Sequence, residues 1–81
     1  MANKAQGSDE VVYADVADGR GNRIHVYSQT YHGKTKVHVR RFWCPPDTIE
    51  WKPTKVGFAL DEEAFREIMA GLMAAEEKLQ W

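Results

Sequence analysis

Eighty-one residues carrying a net charge of −1 make one small domain, and a chain of this size withdraws only about 60–65% of its unfolded surface from water, so its core is thin and a second copy would help complete it. The single cysteine, Cys44, closes no intramolecular disulfide, and no Cys/His spacing matches a zinc site; covalent and metal staples are therefore excluded and an intracellular protein is expected. No apolar run is long enough to span a bilayer and no signal-peptide core follows Met1, so neither membrane residence nor export is expected.

The charge is unevenly divided. Residues 1–19 net −3 and residues 61–81 net −4, whereas residues 20–60 carry Arg20, Arg23, Lys34, Lys36, Arg40, Arg41, Lys52 and Lys55 against only Asp47 and Glu50, a net of +6. Local potential decides what a surface attracts, so a polyanion is the expected partner of the basic middle.

In chain order, residues 1–10 are small and polar without periodicity and read as a disordered tail, leaving 11–81 as the domain. Val11, Val12, Tyr13 and Val16 favour a strand ending at Ala17, and Asp18-Gly19-Arg20-Gly21-Asn22 supplies turn chemistry for a first hairpin. From Arg23 to Tyr31 the residues alternate, Ile24 and Val26 on one side, His25, Tyr27, Gln29 and Tyr31 on the other. His32-Gly33 turns the chain into a further strand, on which Lys36, His38, Arg40 and Phe42 alternate with Val37, Val39 and Arg41. Pro45 and Pro46 end it, a short strand is expected over Ile49–Lys52, and Lys55–Leu60 reads as another with Val56, Phe58 and Leu60 facing inwards; Pro53 confines pairing there to an edge.

Asp61 is placed to cap a helix, with Glu62 and Glu63 at the positive end of its dipole and Leu60 able to staple to Phe65. Phe65, Ile68, Met69, Leu72 and Leu79 form an apolar stripe at helical spacing, expected to cover the inner side of the sheet. Ala70, Gly71, Ala74 and Ala75 make a bare flank beside it, which permits close approach of a second helix and is the expected dimer seam.

The basic strand face carries rings as well as cations. Tyr27, Tyr31 and Phe42 share it with Lys36 and Arg40, and exposed rings are costly unless something covers them. Cations suit phosphates and rings suit bases, so single-stranded nucleic acid is favoured over a merely solvated surface. Trp43 has the wrong parity for that face; it contributes only if the strand bends or ends there, and otherwise it is core. His25, His32 and His38 lack an accompanying ligand set and read as surface histidines rather than a metal site. Cys44 reads as a loop thiol, and capping accounts for Asp61, Glu62 and Glu63 without catalysis, so neither a catalytic residue nor a cofactor is expected.

Three stretches in this order resemble the positive-cofactor-four family of transcriptional coactivators and their bacterial single-stranded-DNA-binding relatives. They are Tyr31-His32-Gly33-Lys34, then Val37-His38-Val39-Arg40-Arg41-Phe42-Trp43, then Lys52-Pro53-Thr54-Lys55-Val56-Gly57-Phe58-Ala59-Leu60, followed by the acidic helix start before Phe65. The likeness spans roughly Arg23 to Lys78. It implies an α+β fold, a curved antiparallel sheet of about four strands followed by one C-terminal helix, a homodimer closed largely through that helix, and single-stranded DNA along the outer sheet faces. By matching position it implies Tyr31 and Trp43 as stacking rings, His32 and Lys34 as turn contacts, and Arg40 and Lys55 as phosphate contacts, with Lys52 of the same motif counted beside them. Val56 stands where the family usually has a second basic residue, and His38 where an acidic one is common.

The expected function is thus sequence-tolerant binding of single-stranded DNA, or of RNA, within transcription or replication, in the cytoplasm and nucleoid of a bacterium or the nucleus of a eukaryote. The alternative is a protein-interaction module docking through its edge strands or helix, its basic face incidental.

Overall fold

The computed structural model describes residues 9–81, as four strands and one helix: β1 (Asp9–Ala17), β2 (Arg23–Tyr31), β3 (Lys34–Trp43), β4 (Lys52–Leu60) and α1 (Glu62–Lys78). The strands form one antiparallel sheet in the order β1-β2-β3-β4. Four antiparallel strands and a C-terminal helix are the expected architecture. The expected tail, residues 1–10, lies outside the described residues except for Asp9 and Glu10, which open β1.

Each turn follows from its residues. Between β1 and β2, Asp18 Oδ1 accepts from the amides of Arg20 at 2.7 Å and Asn22 at 3.2 Å. Between β2 and β3 the two-residue turn needs positive φ at both positions, and His32 at 53° and Gly33 at 75° supply it; such a turn matches the right-handed twist of the flanking strands. The register that follows sets His25 opposite Arg40, Tyr27 opposite His38, Gln29 opposite Lys36 and Tyr31 opposite Lys34.

β4 differs from expectation. It is one strand from Lys52 rather than two short ones, and Ile49 to Trp51 are outside it. Its pairing with β3 shifts between Arg40, opposite Gly57, and Phe42, opposite Pro53. Thr54 fills the irregularity: its hydroxyl donates to the Arg41 carbonyl at 2.9 Å and accepts from the Val56 amide at 3.1 Å, while its own carbonyl accepts from Arg40 Nη1 at 3.0 Å. As an edge strand, β4 tolerates the missing donor of Pro53. Gly57 is required here twice over, since its φ is 156° and a Cβ would lie 2.5 Å from the Val39 carbonyl oxygen.

Asp61 caps α1 as expected, its carboxylate accepting from the Ala64 amide at 3.0 Å. The helix begins over the side of the sheet that carries Val26, Val37 and Leu60, with Phe65 and Met69 nearest to it. Tyr13, the extra residue where β1 shifts register, joins that side through a 3.1 Å contact of its hydroxyl with Ser28 Oγ. Coverage by the helix is less complete than the apolar stripe suggests. Ile68 and Leu72 stay exposed, Leu72 at 60%, and so do Val56 and Phe58 on β4, Phe58 at 67%. Leu79 is the C-cap rather than part of the helix. The chain thus has an apolar sheet side and an apolar helix side that only partly meet.

Candidate nucleic-acid interface

The opposite side of the sheet, turned away from α1, gathers the charged and aromatic residues by alternation along β2 and β3. At the end nearest the β2–β3 turn, Gln29, Tyr31, His32, Lys34, Lys36, His38 and Ala59 line an open groove of about 510 Å³. Tyr31 is exposed, with the His32 ring edge-on to it at 4.2 Å between centroids. Lys34, Lys36, His38 and Arg40 follow on alternate positions of β3, about 6.7 Å apart, a spacing that an extended sugar–phosphate backbone can follow.

Tyr27 and Phe42 are not the exposed rings expected from the pattern. Among the described residues they are the two buried hydrophobic ones, 6% and 9% accessible. His38 stacks on Tyr27 with centroids 4.7 Å apart and planes 4° from parallel, His25 stacks on Phe42 at 4.0 Å and 20°, and Tyr27 meets Phe42 edge-on at 5.9 Å. This four-ring cluster is a small core on the helix-free side. It follows from cross-strand register, which a count of exposed aromatics misses. His25 and His38 are consequently half-buried packing partners rather than plain surface histidines; only His32 is fully outside.

Of the other expected contacts, Arg40 lies on this side beyond the groove, one N–H given to the Thr54 carbonyl and no second partner for its guanidinium among the described residues. Trp43 pairs with Lys52 at the far end of β3, and by alternation falls with Val39 and Arg41 on the helix side; it is exposed. Lys55 is exposed in the irregular part of β4. Lys34, Lys36, Tyr31 and His32 are thus brought together, Arg40 extends their line, and Trp43, Lys52 and Lys55 stand apart from the groove. Gln29 and His38 line the groove without being among the expected contacts, although their parity and their pairing with Lys36 and Tyr27 give the signal that would find them.

Electrostatics at the other end of this side is locally closed. Arg23 binds Asp15, and the hydrogen bond holds that carboxyl below its ordinary range, with His25 Nε2 3.3 Å away. In the β1–β2 turn Asp18 is likewise held low, first by the Arg20 amide, and lies 3.0 Å from Nε of Arg41, which belongs to the helix side, without hydrogen-bond alignment. No such partner neutralises Lys34 or Lys36 among the described residues. His38 is pushed below the ordinary histidine range, first by burial and then by Arg40 and Lys36. Among the described residues no group of three His, Cys, Asp or Glu side chains is arranged to hold a metal ion, and no helix is long and apolar enough to cross a membrane.

No family model matches the sequence, and no curated protein matches it either. Among solved structures the chain is similar to BPSL1147, a PC4 homolog from Burkholderia pseudomallei, in two crystal forms. The tetragonal form shares 26% identity over 84% of this chain and 98% of that one, with a TM-score of 0.70. The orthorhombic form shares 25% identity over 94% and 100%, again with a TM-score of 0.70. The resemblance carried by the three sequence stretches is therefore borne out at the level of the fold.

Proposed function

For a chain with the fold of PC4 homologues, we propose single-stranded DNA binding, with little sequence preference and no chemistry, by a homodimeric domain that opens with β1 at Asp9 rather than at residue 11 and runs to residue 81. The observation that carries this reading is the groove on the helix-free side, where Tyr31, His32, Lys34 and Lys36 converge with no carboxylate among its lining residues. Lysines there meet phosphates as point charges, Tyr31 offers a face to any base, and Arg40 continues the cationic line along β3. Lys55 serves a strand that runs on past the groove, and Trp43 and Lys52, which lie on the other side of the sheet at the end of β3, meet it where it rounds that end. Tyr27 and Phe42 support the surface from beneath rather than touching bases.

A homodimer fits the same reading. An apolar hollow of about 440 Å³ lies between sheet and helix, lined by Tyr13, Val26, Ser28, Thr35, Val37, Phe65 and Met69. With Phe58, Ile68 and Leu72 exposed beside it, this side carries neighbouring apolar side chains that a second copy would cover. Space at Gly71 is open, with nothing within 4 Å of a Cβ added there, so Ala70, Gly71, Ala74 and Ala75 permit a second helix to approach. Two helix-free sides in one dimer let a single strand engage both, gaining effective concentration without any new contact.

The exposed helix stripe also suits docking on a different, larger protein, which is the competing reading. Salt distinguishes them. Titrating labelled single- and double-stranded oligonucleotides at rising salt should show single-strand binding that weakens steeply, because phosphate contacts release counterions. Absence of binding, or binding indifferent to salt, overturns the proposal and favours the protein-docking reading.

A further inference from the structure

We infer that His38 is a proton-coupled phosphate contact: when a single strand fills the groove beside the β2–β3 turn, the imidazole takes up a proton and holds a phosphate oxygen together with Lys36. This rests on the nucleic-acid reading of the groove. His38 lies between Lys36 and Arg40 in the alternation of β3 and lines the groove with Gln29, Tyr31, His32 and Lys34. Its ring is held flat on Tyr27, 4.7 Å between centroids and 4° from parallel, so its orientation is fixed before any ligand arrives.

The surroundings of the ring disfavour charge in the free protein. Nδ1 is shut off from solvent and has no hydrogen-bond partner among the described residues, so a proton placed there is unanswered by them. Lys36 and Arg40 face the ring from its own strand, and Tyr27, His25 and Gln29 from β2. Tyr31, His32 and Lys34 lie towards the turn. From β1, Glu10 opposite Gln29 is the one carboxylate whose field reaches it. On β4 its partner is Ala59, with Gly57 beside it, neither of them charged. Burial and the two neighbouring cations outweigh Glu10, and the ring is neutral at neutral pH.

A phosphate in the groove reverses this balance. It neutralises Lys36, brings an opposite charge to the imidazole, and accepts from Nε2–H, the ring nitrogen that is not shut off from the groove, so that the attraction between phosphate and imidazolium outweighs the unanswered proton on Nδ1. The neutral imidazole gains one proton from solvent and becomes a cation; no bond to the ligand forms other than the hydrogen bond. Linkage makes the effect reciprocal: if binding draws in a proton, acidification strengthens binding, by at most about tenfold per pH unit for one proton per site. Lysine and arginine contacts have no such dependence near neutrality, because their charge does not change there.

Isothermal titration calorimetry of the full chain with a short oligothymidylate, in two buffers of different ionisation enthalpy near about pH 6.5, measures proton uptake directly. The wild type should take up a fraction of a proton per site and bind more tightly at lower pH. His38→Gln should bind at slightly alkaline pH but without uptake, whereas His25→Gln and His32→Gln should retain it. Binding by the wild type without uptake, or uptake that survives His38→Gln, overturns the inference while leaving the nucleic-acid reading intact; absence of binding overturns both. If His38→Gln fails to fold, the His38 ring protons of the wild type decide by NMR: its titration should move to higher pH on adding the oligonucleotide, and an unmoved titration overturns the inference.

Discussion

Replacing Arg40 by alanine separates phosphate contact from structural support, because the side chain stands in both. Its Nη1 donates to the Thr54 carbonyl at 3.0 Å, at the irregular pairing of β3 with β4, and the rest of its donor fork has no partner among the described residues. Loss of that one charge-assisted hydrogen bond at a partly exposed site should cost about 1–1.5 kcal/mol of stability. If the fork also meets a phosphate, the slope of log affinity against log salt should fall by about 0.7, so that between about 50 and 200 mM salt the wild type loses about 2.6-fold more affinity than the variant. Arg40→Lys keeps the charge and should keep the slope, while losing much of the Thr54 bond. Arg66→Ala, which removes an exposed helix cation bound to Glu62 at 2.9 Å, is the control and should change neither slope nor affinity. Thermal melting and fluorescence anisotropy over a salt series measure the two effects separately. An Arg40→Ala variant that melts lower yet keeps the wild-type slope would refute the phosphate contact and leave Arg40 as a structural residue alone.

Tyr31→Ala should weaken binding to oligonucleotides of every base composition by about 1–3 kcal/mol, the range for one lost stack; a loss confined to one sequence indicates hydrogen-bond readout instead. Gly57→Ala should cost about 3 kcal/mol or more, because its Cβ would sit 2.5 Å from the Val39 carbonyl oxygen at a φ of 156°, and a near-wild-type melt would contradict that geometry. Gly71→Glu should lower dimer stability and DNA binding together in sedimentation and titration, whereas in a protein that works as a monomer the same change on an open helix surface should leave binding untouched. His38 is held below its unfolded value, so the unfolded chain binds the extra proton: stability should be full above about pH 6.5 and decline as pH falls through the folded value, and His38→Gln should flatten that decline in pH-dependent melts. Asp15 and Asp18 act lower down, their contributions present above the ordinary aspartate value of 3.8 and lost as pH falls through their depressed ones.

The alternation along β2 and β3 was legible because period two is a property of the strand itself, and it correctly separates His25, Tyr27, Gln29 and Tyr31 from Ile24 and Val26. The turns were legible for the same local reason, as were the Asp61 cap and the start of the helix. What alternation cannot give is which ring covers which. Tyr27 and Phe42 are buried because the two-residue turn at His32-Gly33 fixes a register that lays His38 and His25 over them, and register is a relation between strands. The continuity of β4 was hidden by Pro53, whose lost donor is harmless at an edge and whose irregular neighbourhood is repaired by the Thr54 hydroxyl. The stripe from Phe65 to Leu72 reads as a core face, yet within one protomer it meets the sheet mainly at Phe65 and Met69, since a straight helix leaves a twisted sheet after its first turns.

The central claim is that nucleic acid lies on the side of the sheet turned away from the helix. Photocrosslinking a bromouracil-substituted single strand to the protein, with adducts located by mass spectrometry, tests it most directly. Adducts on Tyr31 and His32, which border the groove, are the predicted result; adducts confined to Tyr13, Phe58 and Phe65 on the helix side would contradict the account.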